Sequence, residues 1–243
     1  MLTSYTNYTE LSLHALAHNP RAADVVQKKQ DIFLEISRHF NSAPTSVLFF
    51  GFNPWILSAN HHEIFLTAVN SNIKKYLDSK NIKYTYIDEQ QLDLHAKQFS
   101  WVVATEEFFT FAKDEAEQQQ KVSLLVSLAK NQVITTLRDY KNQDFRDREF
   151  SLPLSIYNHN TSKIFLEYHN YNLVDKNSWD TTVYELDGAA VQVHGPYARR
   201  AMFFKQMAKF SIDAGAKNFY VHKNLMYKSL IRKNYEHVIS ISF

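Results

Sequence analysis

The chain contains no cysteine among its 243 residues. Disulfides, thiolate metal sites and a cysteine nucleophile are therefore excluded, and a cytoplasmic location fits the absence. Glycine is nearly as scarce, occurring only as Gly51, Gly188, Gly195 and Gly215. The chain accordingly carries no Walker phosphate loop and no Gly-x-Ser-x-Gly elbow, which argues against a nucleoside triphosphatase and an ordinary serine hydrolase. Long apolar runs are missing too: none approaches the ~20 residues of a membrane-spanning helix. The polar start, Met1 to Glu10, does not read as a secretory signal. The histidines lack ligand spacing. His61-His62-Glu63 is not the His-Glu-x-x-His motif, and His159, His169, His194 and His222 read as surface or hydrogen-bonded side chains, so no metal is expected.

What is present suits a globular fold. Hydrophobic residues make up 45% and aromatics 14%, enough to fill the core of one large domain. The formal charge of +2 is unevenly spread. From Gly195 onward nine basic residues stand against only Asp213 and Glu236, so the preceding part is net acidic. A basic end on an acidic body suits an anionic partner such as nucleic acid; a solvated basic face is the alternative.

Residues 1–45 read as an N-terminal helical extension. Leu11, Leu13, Leu16, Val25, Val26, Ile32, Phe33, Ile36 and Phe40 fall at helical spacings, with a break at Asn19-Pro20. The rest, 46–243, reads as one α/β domain. Ser46 to Phe50 is a continuous apolar run of the kind a strand buried on both faces shows. A helix is expected from about Ala59 to Ser79, then a second strand from Lys83 to Ile87. A third strand is expected at Trp101 to Thr105, a helix from Lys113 to Lys130, and a fourth strand at Gln132 to Thr136. This alternation predicts a mostly parallel sheet with helices on both faces. Later come antiparallel strands at Lys163 to His169, Thr181 to Leu186 and Ala190 to His194. A helix from Tyr197 to Ala214 would place Arg199 and Arg200 near its start. A strand at Asn218 to Val221, a helix at Leu225 to Lys233 and a closing strand at His237 to Phe243 complete the reading.

Ligands of an open parallel sheet bind at the carboxyl ends of the strands, near the point where strand order reverses. The first three expected strands end in Gly51-Phe52-Asn53-Pro54, Asp88-Glu89 and Thr105-Glu106-Glu107. A glycine there lets a ligand approach the backbone, and an acid after the second strand can accept hydrogen bonds from ribose. On these residues, the strand–helix order and the late antiparallel strands, the segment from Ser46 to Leu186 resembles the class I S-adenosylmethionine-dependent methyltransferase superfamily. The resemblance implies a three-layer αβα Rossmann-like fold with S-adenosylmethionine as cofactor. It implies Gly51, Asn53 and Pro54 at the amino-acid portion, Asp88 at the ribose, and Thr105 with Glu106 at the adenine side. Asp139 and Tyr140, after the fourth strand, would face the methyl acceptor, with Glu107, Arg199 and Arg200 as substrate contacts. The run Thr135 to Asn142 and the basic tail also look similar to tailed-phage proteins.

The chain departs from that superfamily's pattern. Phe49-Phe50 precedes Gly51 where an acid is usual, and Asn53 and Trp55 stand where further glycines are usual. A second reading therefore stays open: a cofactor-free module of the same fold that binds nucleic acid or protein through the basic C-terminal face. Phe52-Asn53-Pro54-Trp55 itself resembles the Asn-Pro-Pro-aromatic motif of amino-methylating DNA methyltransferases, in which the aromatic stacks on a flipped base. Its alternative is a tight turn with Trp55 packed on the sheet. Glu106 and Glu107 bind a cation or amine, or simply open a helix where acids are favoured. Phe203, Phe204, Met207 and Phe210 recur at helical spacing and read as core, with Lys205 and Lys209 on the outer face.

Overall fold

The computed structural model describes residues 2–18, 22–40, 44–59, 61–138, 140, 148–150, 163–175, 177–228 and 235–243. Two helices, α1 (Thr3–His18) and α2 (Ala22–His39), precede β1 (Ser46–Phe50). A 3₁₀ turn at Pro54–Ser58 leads to β2 (Glu63–Thr67), α3 (Ser71–Ser79) and the short β3 (Thr85–Tyr86). A second 3₁₀ turn, Glu89–His95, is followed by β4 (Phe99–Ala104), α4 (Glu106–Thr110), α5 (Glu115–Leu128) and β5 (Ala129–Arg138). Next come β6 (Arg148–Phe150), β7 (Lys163–Tyr171), β8 (Ser178–Asp187) and β9 (Ala190–Arg200). The last elements are α6 (Phe204–Asp213), β10 (Asn218–Lys228) and β11 (Tyr235–Ser242).

Seven strands form the main sheet in the order β10-β11-β5-β4-β1-β2-β3. β1 to β5 run parallel, and β11 runs antiparallel to both its neighbours. The continuous apolar runs explain the three layers. Side chains of a strand alternate between faces, and here both faces are covered. Val47, Phe49, Trp101, Val103 and Ile134 enter one core with Phe33 and Ile36 of α2 and Ile73 and Leu77 of α3. Leu48, Phe50, Val102, Ala104 and Val133 enter the other, with Val122, Leu125 and Val126 of α5 and Met207 and Phe210 of α6. Phe33 sits at the centre of the first core, with its ring centroid 6.1 Å from those of Phe49, Trp55 and Trp101.

The remaining strands form a separate antiparallel sheet, β6-β7-β8-β9, inserted between β5 and α6. Tyr140, Tyr171, Trp179 and Ala201 make a small core of their own at its junction with the main sheet. The N-terminal helices are joined to the same cores as the sheet. Leu2, Tyr5 and Tyr8 pack in one of the two large cores and Leu13 in the other, so α1 crosses the sheet rim from one face to the other.

Four expectations are corrected. The helix expected from Ala59 to Ser79 is in fact β2 followed by α3. Ile64 and Leu66 pair with β1 as a parallel strand, and Asn70 starts a new helix by accepting hydrogen bonds from the Asn72 and Ile73 amides. The strand before Asp88 is consequently the third of the sheet and lies at its edge. The helix expected from Tyr197 begins only at Phe204, because β9 continues through Arg200. Pro196 is tolerated there because β9 is an edge strand and its pairing with β8 is interrupted between His194 and Tyr197. Residues 225–228 of the expected last helix belong to β10; the rest of it lies outside the described residues.

Candidate functional site

The strand order reverses between β1 and β4, and the ends of these two strands frame the crevice where a ligand of such a sheet lies. β1 ends at Gly51, whose φ of 66° is left-handed and suits a residue without a side chain. Its amide donates to the Thr67 carbonyl at the end of β2, 2.9 Å away. Ala68, which follows, also has a left-handed φ of 55°, a conformation that costs a residue with a Cβ about 1–2 kcal/mol. Asn53 caps the 3₁₀ turn by accepting from the Trp55 amide at 2.9 Å. Its Nδ2 and the hydroxyl of Thr67 are buried without a hydrogen-bond partner among the described residues. Pro54 and Trp55 are buried within that turn. Trp55 lies against Phe33 and Phe52 is 7% exposed, so this segment is a packed turn and offers no aromatic face to a base.

Asp88 is exposed at the end of β3 and accepts from the Gln90 amide, capping the following turn. Thr105 follows the last residue of β4, the strand beside β1, at the start of α4, where its side chain makes no capping bond. The two acids after it have different surroundings. Glu106 is fully buried, ion-paired with Arg138 Nε at 2.9 Å and hydrogen-bonded by the Tyr140 hydroxyl. Glu107 is partly exposed and meets Arg138 Nη2 at 3.3 Å. Burial pushes the Glu107 carboxyl upward, but the charges of Arg138, Lys29 and Arg199 outweigh it and hold the group below the usual carboxylate range. Tyr140, expected to face an acceptor, is 2% exposed and committed to Glu106. Asp139 lies outside the described residues.

The two arginines do not form an exposed anion grip. Arg199 is 3% exposed. Its Nε and Nη2 both donate to Thr110 Oγ1, at 3.2 and 2.8 Å, and its guanidinium lies 5.0 Å from the Phe111 ring centroid. Arg200 pairs with Asp175 at 2.6 Å. Both sit on β9; Arg199 joins the second sheet to α4 of the body, whereas Arg200 ties β9 to the β7–β8 connection of its own sheet, and Lys205 and Lys209 remain exposed on α6.

Sequence reasoning missed the residues that lie over the rim. Tyr5 of α1 is fully buried and donates to the Phe50 carbonyl at 2.7 Å. Its ring also packs edge-on against Phe108 of α4, with centroids 5.5 Å apart. Thr6 donates to the Ala68 carbonyl at 3.2 Å. Glu10 accepts from the side-chain amides of Asn70 and Asn72. Tyr8 donates to Glu167 of β7 at 2.5 Å. Burial alone would push the Glu167 carboxyl up, yet hydrogen bonds from His169 and Tyr8 and the charge of Arg199 hold it at about 2. The spacing of Tyr5 and Tyr8 places both on one helical face, which is the signal the sequence did carry.

No family model and no curated protein sequence matches the chain. Solved structures do. An S-adenosylmethionine-dependent methyltransferase from Clostridium acetobutylicum is similar with a TM-score of 0.66 at 11% identity, over 89% of this chain and 91% of that one. The CcbJ methyltransferase from Streptomyces caelestis gives 0.65 at 12% identity, over 88% and 89%. The sugar N-methyltransferase KedS8 from a Streptoalloteichus species gives 0.65 at 8%, over 89% and 87%. The shared portion is too large to leave out the second sheet. The chain thus has the Rossmann-like fold of these methyltransferases, and at such identities the likeness is one of fold.

Proposed function

We propose that the chain is an S-adenosylmethionine-dependent methyltransferase whose cofactor lies in the crevice between the ends of β1 and β4. The observation that carries this reading is Gly51. It is a left-handed residue without a side chain, at the strand end where the sheet order reverses, in a fold that matches methyltransferases along nearly their whole length. The buried rim atoms fit the group as well: Asn53 Nδ2 is an unpartnered donor suited to a carboxylate, and the Thr67 hydroxyl can donate or accept.

The cofactor, when bound, supplies a methyl group made electrophilic by a sulfonium. The chain's residues bind and orient. Gly51 lets the amino-acid end lie against the backbone, Pro54 stiffens the turn that carries Asn53, and Thr105 borders the crevice opposite. Asp88 is an exposed acceptor for the nucleoside, placed at the third strand end. Glu106, clamped by Arg138 and Tyr140, fixes the end of β4 without reaching the ligand. Most of the rate gain would come from holding the acceptor in line with the methyl group.

The acceptor on this reading is a small molecule held between the rim and the second sheet. KedS8, with the same fold, is named for methylating sugar nitrogen. A nucleic-acid acceptor is less well supported, since Arg199 is buried on Thr110 and Arg200 is ion-paired with Asp175. Calorimetric titration with S-adenosylmethionine and S-adenosylhomocysteine tests the reading. Binding is expected, weakened about tenfold, ~1.4 kcal/mol, in Asp88→Ala. No binding of either compound, in the wild type or with α1 loosened, overturns it.

A further inference from the structure

The crevice between β1 and β4 is the place proposed for the cofactor, and α1 lies in it. The Tyr5 side chain spans the gap, hydrogen-bonded to the Phe50 carbonyl at the end of β1 and packed edge-on against the Phe108 ring of α4, which follows β4, with centroids 5.5 Å apart. A Cβ built on Gly51 would stand 2.8 Å from both Cε1 and Oη of Tyr5. The free backbone face of Gly51, the feature that would admit a ligand, is therefore covered by this ring. One residue on, Thr6 takes the Ala68 carbonyl at the end of β2, and Glu10 takes Asn70 and Asn72. A single helix thus caps the ends of β1 and β2 and packs on the helix that follows β4.

The helix is poorly built to stand alone. Thr3 to Thr9 is an unbroken run of Thr, Ser, Tyr and Asn, all weak helix formers. Its first turn holds no acid to favour the helix dipole. A helix of this kind is held mainly by what it docks on. The rim itself retains two buried polar atoms, Thr67 Oγ1 and Asn53 Nδ2, that α1 leaves without partners.

We propose that α1 is an internal competitor of the cofactor, with Tyr5 holding the β1–β4 crevice until ligand displaces it; this rests on the functional reading above. Because Tyr8 of the same helix bonds Glu167 of β7, displacement also releases α1 from the second sheet, so cofactor entry and access beneath that sheet are linked. A protein whose competent state is only partly populated binds with an affinity reduced by that fraction.

The test uses the full chain, S-adenosylhomocysteine as probe, and two readouts. In calorimetry Tyr5→Ala is expected to bind about tenfold more tightly than wild type, and Tyr5→Phe, which keeps the ring, by a smaller factor. In hydrogen exchange on the wild type, the amides of residues 3–10 are expected to exchange faster when the probe is added. Faster exchange together with tighter binding supports the proposal, as does binding seen only in Tyr5→Ala. Binding with slower or unchanged exchange in α1 overturns it, because the helix would then close over the cofactor or ignore it. Binding weakened in Tyr5→Ala overturns it as well. Absence of binding in the wild type and both variants overturns the cofactor reading, and the competition with it. The folded state of each variant is checked by its urea midpoint.

Discussion

Glu106 shows at the scale of one residue how the rim is held. A fully buried carboxylate is tolerated only when it is paired and hydrogen-bonded, and Arg138 and Tyr140 do both. Glu106→Ala leaves the guanidinium without its closest acid. We expect a loss of roughly 3 kcal/mol in urea unfolding, and about 1 kcal/mol for Tyr140→Phe. His222 and Glu167 make a different prediction. Burial, aided by His39, lowers His222 to about 4, so the unfolded chain binds the extra proton first as pH falls. Its contribution is complete above pH ~6.5 and is lost between there and about 4. Glu167, held at about 2, keeps its contribution above pH ~4.5 and loses it between there and about 2. Stability should therefore fall in two stages on acidification. His222→Phe should flatten the upper stage and Glu167→Gln the lower one, read from urea midpoints across pH.

Among the elements, α1 and α3 meet at Asn70, which caps α3 with its oxygen and donates its amide to Glu10. Asn70→Ala removes both roles, and about 1–2 kcal/mol should be lost, more than a cap alone in a peptide. Gly51→Ala acts on the β1 end. The added Cβ meets the Tyr5 ring and must also adopt φ 66°. The expected outcome is a stability loss of ~1–2 kcal/mol from the backbone alone, with faster exchange in α1 as its ring is pushed off. The pairing of β2 could not be read locally, because Glu63–Thr67 is short and its apolar residues also fit a helix. β1 and β4 were readable because every position in them is apolar or small, the mark of burial on both faces.

For the whole molecule the issue is whether the two sheets unfold together. They are joined by Arg199 to Thr110, by Gln118 to the Arg200 and Ala201 carbonyls, and by the packing of Tyr140 on Trp179. These ties are buried, so one cooperative transition is expected. Trp179 is the one tryptophan in the second sheet, and Trp55 and Trp101 lie in the body. In a Trp55→Phe, Trp101→Phe variant, Trp179 fluorescence and far-ultraviolet circular dichroism should share a single urea midpoint. Two midpoints would show the second sheet to be an independent unit.

The sequence by itself determined what is local or additive. The absence of cysteine excluded thiol chemistry, the scarcity of glycine argued against a phosphate loop and a hydrolase elbow, continuous apolar runs set the buried strands, and their alternation with helices set a parallel sheet. These follow from composition and from the period of each element. The tertiary structure alone decided what depends on distant neighbours. Arg199 looked like a surface cation and is buried, because β9 runs on past Pro196 and turns it toward Thr110. Asp88 looked like the end of the second strand and belongs to the third. Tyr5 looked like one more residue of a helical extension, yet its hydroxyl meets Phe50, 45 positions away, across the mouth of the candidate site. Nothing in the local pattern encodes that meeting, because it depends on how α1 lies across a rim built by strands that follow it in the chain.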